Sequence, residues 1–193
     1  YHRVPVMLGT NRDENKLFMA FDPALARWRY GVFPDPLDPD RYQAQAEAQA
    51  HAWKARGVDE PARRMRAVQG PSVYAYRFDW DEEDRFLWVD WSEVLGAAHA
   101  LEIPFVFGDF EIPLLRSLYR DDDLASRQKL SGAMMSYWAE FAANGAPGRG
   151  RGGDLPAWTA WDESEPGSER LLLFHSGAGG GVRLPPDPLT TPP

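Results

Sequence analysis

Two periods organise the hydrophobic positions of this chain. From Val73 to Trp80 they alternate, so that Tyr74, Tyr76, Phe78 and Trp80 share one face and Val73, Ala75, Arg77 and Asp79 the other. A repeat of two predicts a strand. Val4 to Leu8 is a short apolar run closed by Gly9 and predicts a buried strand followed by a turn, with Glu14 beyond its C-terminal edge. Leu171 to Phe174 predicts a last short strand. Between these runs the spacing becomes helical. Asp38-Pro39 offers an N-cap followed by proline at the first helical position. The helix is expected to continue through Tyr42, Ala46 and Trp53 to a stop at Gly57, with a narrow apolar stripe on an Ala/Gln-rich body. Asp121 to Asp123 cap a second helix, on which Leu130, Met134, Trp138 and Phe141 recur until Asn144-Gly145. Such a stripe reads as core rather than as a cofactor box.

The remaining segments read as connections. Asp81-Glu82-Glu83-Asp84 predicts a solvated acidic turn, since it lacks the Asp/Asn-Gly spacing of a calcium loop. Arg149-Gly150-Arg151-Gly152-Gly153 predicts a flexible surface loop. Residues 185–193 are too rich in proline to join a sheet and are expected to run along the surface. The chain starts directly on strand-like sequence, without a basic segment followed by an apolar one, and is therefore expected to be a segment of something longer.

Composition narrows the function classes. At 193 residues, with 44% hydrophobic and 13% aromatic content, the chain is long and apolar enough to bury a core and is not a disordered one. The net charge of −8 argues against nucleic acid as a partner, because counterion release needs clustered Lys and Arg. With no cysteine there are no disulfides, thiolate metal sites or cysteine nucleophiles. No run approaches the roughly 18 apolar residues of a membrane span. None of the four histidines forms an HExxH or comparable metal pair, and His51 falls on a predicted helix surface. No cofactor is implied.

Two motifs carry the candidate chemistry. Gly9-Thr10-Asn11-Arg12-Asp13-Glu14 follows the first strand, and Gly96-Ala97-Ala98-His99-Ala100-Leu101-Glu102-Ile103-Pro104-Phe105-Val106-Phe107-Gly108 sets a histidine among small residues ahead of a dense apolar run. Together they closely resemble the type B carboxylesterases, the carboxylesterase/cholinesterase branch of the α/β-hydrolases. Tyr74-Ala75-Tyr76-Arg77-Phe78, Tyr137 to Gly145 and Leu155-Pro156-Ala157-Trp158 extend the resemblance in the family's order and rough spacing. It implies an α/β fold, the C-terminal portion of an α/β-hydrolase in which a mostly parallel sheet is flanked by helices. One catalytic domain would be represented over residues 1–193.

The resemblance also implies roles. Glu14 is the acid of a Ser-Glu-His triad and His99 its general base and acid, in the chain order that the fold uses. Leu17 and Phe18 match positions that line the family's substrate gorge, and Glu102 matches an acidic position of supporting role. Asn15 stands where many relatives carry glycine, a position where asparagine tolerates left-handed backbone. The nucleophile is missing. No serine of the chain has glycines at both flanking positions of a Gly-x-Ser-x-Gly elbow, and Gly177-Ala178-Gly179-Gly180-Gly181 comes too late to be the oxyanion segment. An N-terminal portion is thus the expected partner, supplying the serine and oxyanion hole, with a small carboxylic ester as substrate. A non-catalytic cholinesterase-like adhesion or binding domain is the alternative, and the residue at the serine position discriminates the two. The Ala/Arg/Pro-rich composition suggests a bacterial source.

Overall fold

In a computed structural model, residues 1–31, 33–83, 85–113, 115–119, 121–163, 171–177 and 181–184 are described. The chain forms β1 (Val6–Asn11), α1 (Lys16–Met19), β2 (Ala26–Arg29), β3 (Phe33–Pro36), α2 (Pro39–Lys54) and, after a π-helical turn over Ala55–Asp59, α3 (Glu60–Gln69). It continues through β4 (Val73–Phe78), β5 (Arg85–Phe86), β6 (Val89–Asp90), α4 (Trp91–Val94), α5 (Ile103–Phe107), α6 (Leu124–Asn144), β7 (Leu172–Phe174) and β8 (Val182–Arg183). The main sheet has four strands in the order β1-β4-β7-β8. Val6 to Asn11 run parallel to Val73 to Phe78, and Tyr76 to Phe78 run parallel to Leu172 to Phe174, while β8 is antiparallel to β7. Parallel neighbours need long crossovers. The α2–α3 segment supplies one between β1 and β4, and α6 lies in the other.

The alternation of β4 sorts its side chains into two cores. Tyr74, Phe78 and Trp80 join Phe105, Met134, Tyr137 and Trp158, whereas Val73 and Ala75 pack with Val58, Ala62, Trp161 and Leu171. Both faces of the central strand are thus covered, the usual condition of a parallel sheet. Tyr76, Trp138, Trp158 and Phe174 meet at centroid distances of 5.0 to 6.1 Å on the α6 side, mostly edge to face, the arrangement that the ring quadrupoles favour.

Several expected boundaries move. The first strand does not end at Gly9 but runs on to Asn11. Glycine is required there for a different reason: a Cβ would stand 2.0 Å from the Tyr76 ring, which lies across the strand. Helix α2 begins as expected, Asp38 accepting from the Arg41 N–H with Pro39 at the first position. It does not stop at Gly57, whose φ is not positive, and the chain passes through the π turn straight into α3. The wider turn absorbs the glycine without breaking the rod. Gly145 does end α6, with φ +71 and its N–H on the Phe141 carbonyl. Asp123 precedes that helix and pairs with the buried Arg127 at 2.7 Å.

The acidic turn is not simply solvated. Asp81 binds Arg12, Ser126 donates to Glu82, and Glu83 is only 5% exposed. Trp80, buried in the main core, draws the residues after it down as well. Arg149 and residues 151–153 lie at the surface while Gly150 is buried, and the loop is pinned by the Arg151 N–H donating to Ser136 Oγ and by Arg149 donating to the Gly153 carbonyl. Asp84, Ser164, Ser168, residues 178–180 and the proline-rich stretch 185–193 lie outside the described residues.

Candidate active site

The two motifs meet beyond the C-terminal ends of β1 and β4. Asn11 closes β1, and Arg12 to Asn15 turn from it into the short helix α1. The histidine segment loops from α4 to α5. Three hydrogen bonds stitch these loops together: the Asp13 N–H to the Ala97 carbonyl at 3.0 Å, the Ala97 N–H to the Asp13 carboxylate at 3.1 Å, and Asn11 Nδ2 to the Ala98 carbonyl at 2.7 Å. Asp13 also pairs with Arg12 and with the buried Lys16. Burial works against the charge on Arg12, yet Asp13 and Asp81 raise its pKa above the usual guanidinium value.

The histidine loop is held in an unusual shape. Gly96 has φ +50, and a Cβ there would lie 2.5 Å from Asp13 Oδ2. Ala100, immediately after His99, has φ +70 despite its side chain. A left-handed alanine costs about 1–2 kcal/mol and persists only where surrounding contacts over-determine it. Here the stitched backbone provides them, and the strain fixes where the imidazole stands.

His99 Nδ1 lies 2.7 Å from Glu14 Oε2. Glu14 is 4% exposed, and its other oxygen accepts the Asn11 N–H at 2.8 Å and the Thr10 hydroxyl at 3.3 Å. The His99 side chain is 43% exposed. A carboxylate facing Nδ1 keeps the proton on that nitrogen and leaves Nε2 as the lone-pair site. Nε2 has no hydrogen-bond partner among the described residues. Chemically this is a buried carboxylate orienting an accessible imidazole, the arrangement of a general base steadied by its acid.

Glu102 does not touch the imidazole. Its Oε2 accepts from Asn11 Nδ2 at 2.5 Å, so it acts through the asparagine that also holds the Ala98 carbonyl. Burial, with Glu102 and then Glu14 nearby, raises the pKa of Tyr76 and keeps that phenol neutral. Leu17 is half-buried and packs against the main core, whereas Phe18 is 51% exposed with its ring 5.4 Å from that of His99. The structure therefore brings Glu14, His99 and Phe18 together, and sets Leu17 inward. Asn15 adopts right-handed backbone (φ −85, ψ −13), so the turn after Glu14 makes no demand for glycine.

Two neighbours were missed from the sequence. Asn11 was legible as part of the Glu14 motif, but its link to Glu102 spans 91 residues. Trp53, on α2, meets the His99 ring edge-on at 5.7 Å, and no sequence signal marks that contact. Among the described residues no three His, Asp or Glu side chains are grouped to hold a metal ion, and no helix is long and apolar enough to cross a membrane.

The family model of the carboxylesterase family matches residues 26–176. Over 182 residues the chain is 29% identical to the para-nitrobenzyl esterase of Bacillus subtilis (strain 168), covering 88% of this chain and 34% of that protein. Over 118 residues it is 36% identical to the acetylcholinesterase of Gallus gallus, covering 61% of this chain and 14% of that protein. Among solved structures, the Geobacillus stearothermophilus carboxylesterase EST55 superposes with a TM-score of 0.57 at 27% identity over 89% of this chain and 36% of its own. Aspergillus niger EstA shares the fold, with a TM-score of 0.62 at 18% identity over 97% of this chain and 38% of its own. The sheet and helices are thus part of an α/β-hydrolase fold, the chain spans about a third of its longest-matching relatives, and it belongs to the carboxylesterase family.

Proposed function

We propose that this chain contributes the acid and the base of a serine carboxylesterase, Glu14 and His99, to a complete enzyme whose N-terminal portion carries the nucleophilic serine and the oxyanion hole. The observation that carries the reading is the 2.7 Å contact between the buried Glu14 carboxylate and His99 Nδ1, with Nε2 left open beside the exposed Phe18. In this mechanism Nε2 takes the proton of the serine hydroxyl as its oxygen attacks the ester carbonyl. The tetrahedral intermediate collapses, the bond to the alcohol oxygen breaks, and the imidazolium returns the proton to that oxygen. Water then repeats the sequence on the acyl-serine, with Nε2 again accepting and returning one proton. Glu14 holds the tautomer and stabilises the imidazolium throughout. Phe18 borders the space in which the ester lies, Leu17 supports α1 from the core side, and Glu102 positions the histidine loop through Asn11. The serine and oxyanion hole account for a sequence that offers an acid and a base but no elbow.

His99→Ala in the complete enzyme is expected to lower hydrolysis of a short-chain nitrophenyl ester by about 10⁴-fold or more. It should slow labelling by a serine-reactive organophosphate comparably, read by intact mass. Near-normal turnover by that variant would overturn the assignment of His99 as the base.

A further inference from the structure

Beside the Glu14–His99 pair lies a cavity of about 400 Å³, lined by Asn15, Gln49, Ala52, Trp53, Arg56 and Gly57. Two of these residues join it to the pair. Asn15 follows Glu14 in the chain, and the Trp53 indole stands edge-on to the His99 ring at 5.7 Å. The far wall is the π-helical turn Ala55–Asp59, which supplies Arg56 and Gly57. Single π turns within helices occur often at functional sites, where the wider backbone re-aims side chains. Gly57 lies against the indole: a Cβ there would make ordinary van der Waals contact with Trp53 Cδ1 and Nε1 at 3.9 Å.

Charge distinguishes this turn from its surroundings. Nearby cations on the same helical segment are spoken for, Lys54 by Asp59, Arg63 by Glu163 and Arg64 by Glu60. Arg56 is exposed and has no ion-pair partner among the described residues. Every other side chain lining the cavity is uncharged. The cavity therefore offers an aromatic wall and a guanidinium with no ion-pair partner among the described residues, a donor fork suited to a carboxylate.

Resting on the esterase reading above, we propose that Trp53 and Arg56 are specificity-determining residues that receive the alcohol portion of the ester and favour aromatic alcohols bearing an anionic group. The assignment to the alcohol side follows from the mechanism. A general acid must come within hydrogen-bond reach of the leaving oxygen, so the group attached to that oxygen lies along the imidazole and its neighbours. Trp53 offers the ring a stacking surface, and Arg56 meets the charge beyond it.

The test compares 4-carboxyphenyl acetate, phenyl acetate and 4-(trimethylammonio)phenyl acetate on the complete enzyme, using ratios of kcat/KM so that intrinsic reactivities cancel between variants. Arg56→Gln is expected to lower the ratio of the carboxylate ester to phenyl acetate by about fivefold, the effect of one exposed ion pair. Arg56→Lys should keep part of that preference, and Arg56→Glu should invert it toward the ammonium ester. The differences should shrink in high salt. Equal effects of Arg56→Gln on all three esters, or none on any, would overturn the role of Arg56 while leaving the esterase intact. Absence of His99-dependent hydrolysis of phenyl acetate would instead remove the esterase reading, and this inference with it.

Discussion

Two glutamates of this chain are buried to nearly the same degree and treated in opposite ways. Glu14, 4% exposed, receives the Asn11 N–H, the Thr10 hydroxyl and the His99 imidazole. Glu83, 5% exposed, receives no hydrogen bond on either carboxyl oxygen from any other of the described residues. Burial accordingly raises the Glu83 pKa well above the ordinary carboxyl value, and Asp81 and Asp13 add to the shift. Its own backbone N–H and Arg12 oppose that shift without reversing it. Burial alone thus says little about function. Donors offset the cost of burying a carboxyl, whereas a buried carboxyl without them is a cost to the fold and has its pKa raised.

The largest test of this contrast is Glu14→Gln. The isosteric amide keeps the volume but withdraws the negative acceptor at His99 Nδ1, so a folded enzyme with kcat lowered by about 10⁴-fold is expected. Loss of only a few-fold would make Glu14 a packing residue like any other. A smaller effect is expected from Asn11→Ala, which removes the bridge from Glu102 to the Ala98 carbonyl while sparing the contact between Glu14 and His99. Misplacement of the imidazole by a fraction of an ångström should lower kcat by up to about 10²-fold with little change in KM. A rise in KM alone would show that Asn11 serves substrate binding instead of the loop.

The smallest effect belongs to Glu83 and concerns stability. Its raised folded-state pKa means that the native protein holds this proton more tightly than the unfolded chain does. The stability so gained is present below the ordinary carboxyl pKa and is lost as pH rises through the folded value. Glu83→Gln is therefore expected to raise Tm by a few degrees near pH 8, with the advantage narrowing toward pH 5. Calorimetry across that range checks it, and a destabilisation independent of pH would refute the account.

Local chemistry was legible in the sequence. The period of two predicted β4 and the sorting of its residues onto two faces, because a strand's side chains alternate whatever lies above them; that both faces carry core was left to the packing. Asp38-Pro39 and Gly145 announced one helix start and one helix end, because caps act over a single turn. Glu14 and His99 stood out as candidates through the resemblance of two short motifs taken together, since either residue alone is an ordinary acid or histidine. Gly57 misled because glycine stops a helix only when the residues beyond it have nowhere helical to go. Val58 and Ala62 bury against Val73 and Ala75, and that packing carries the rod onward. The acidic turn misled for the same reason, since the burial of Trp80 overrides the polarity of Asp81 to Glu83.

Distance and burial were left to the tertiary structure. That Glu14 Oε2 comes to 2.7 Å from His99 depends on the parallel register of β1 and β4, and on backbone bonds between loops 84 residues apart. That Trp53 walls the imidazole depends on the rotation of α2 over β1, and that Glu83 has no donor from another of the described residues depends on everything packed around it. The sequence by itself determined which groups were candidates for chemistry, through short motifs of a few residues each. Only the fold decided which of them meet and which are solvated, because contacts between distant segments are settled by the packing of the whole core.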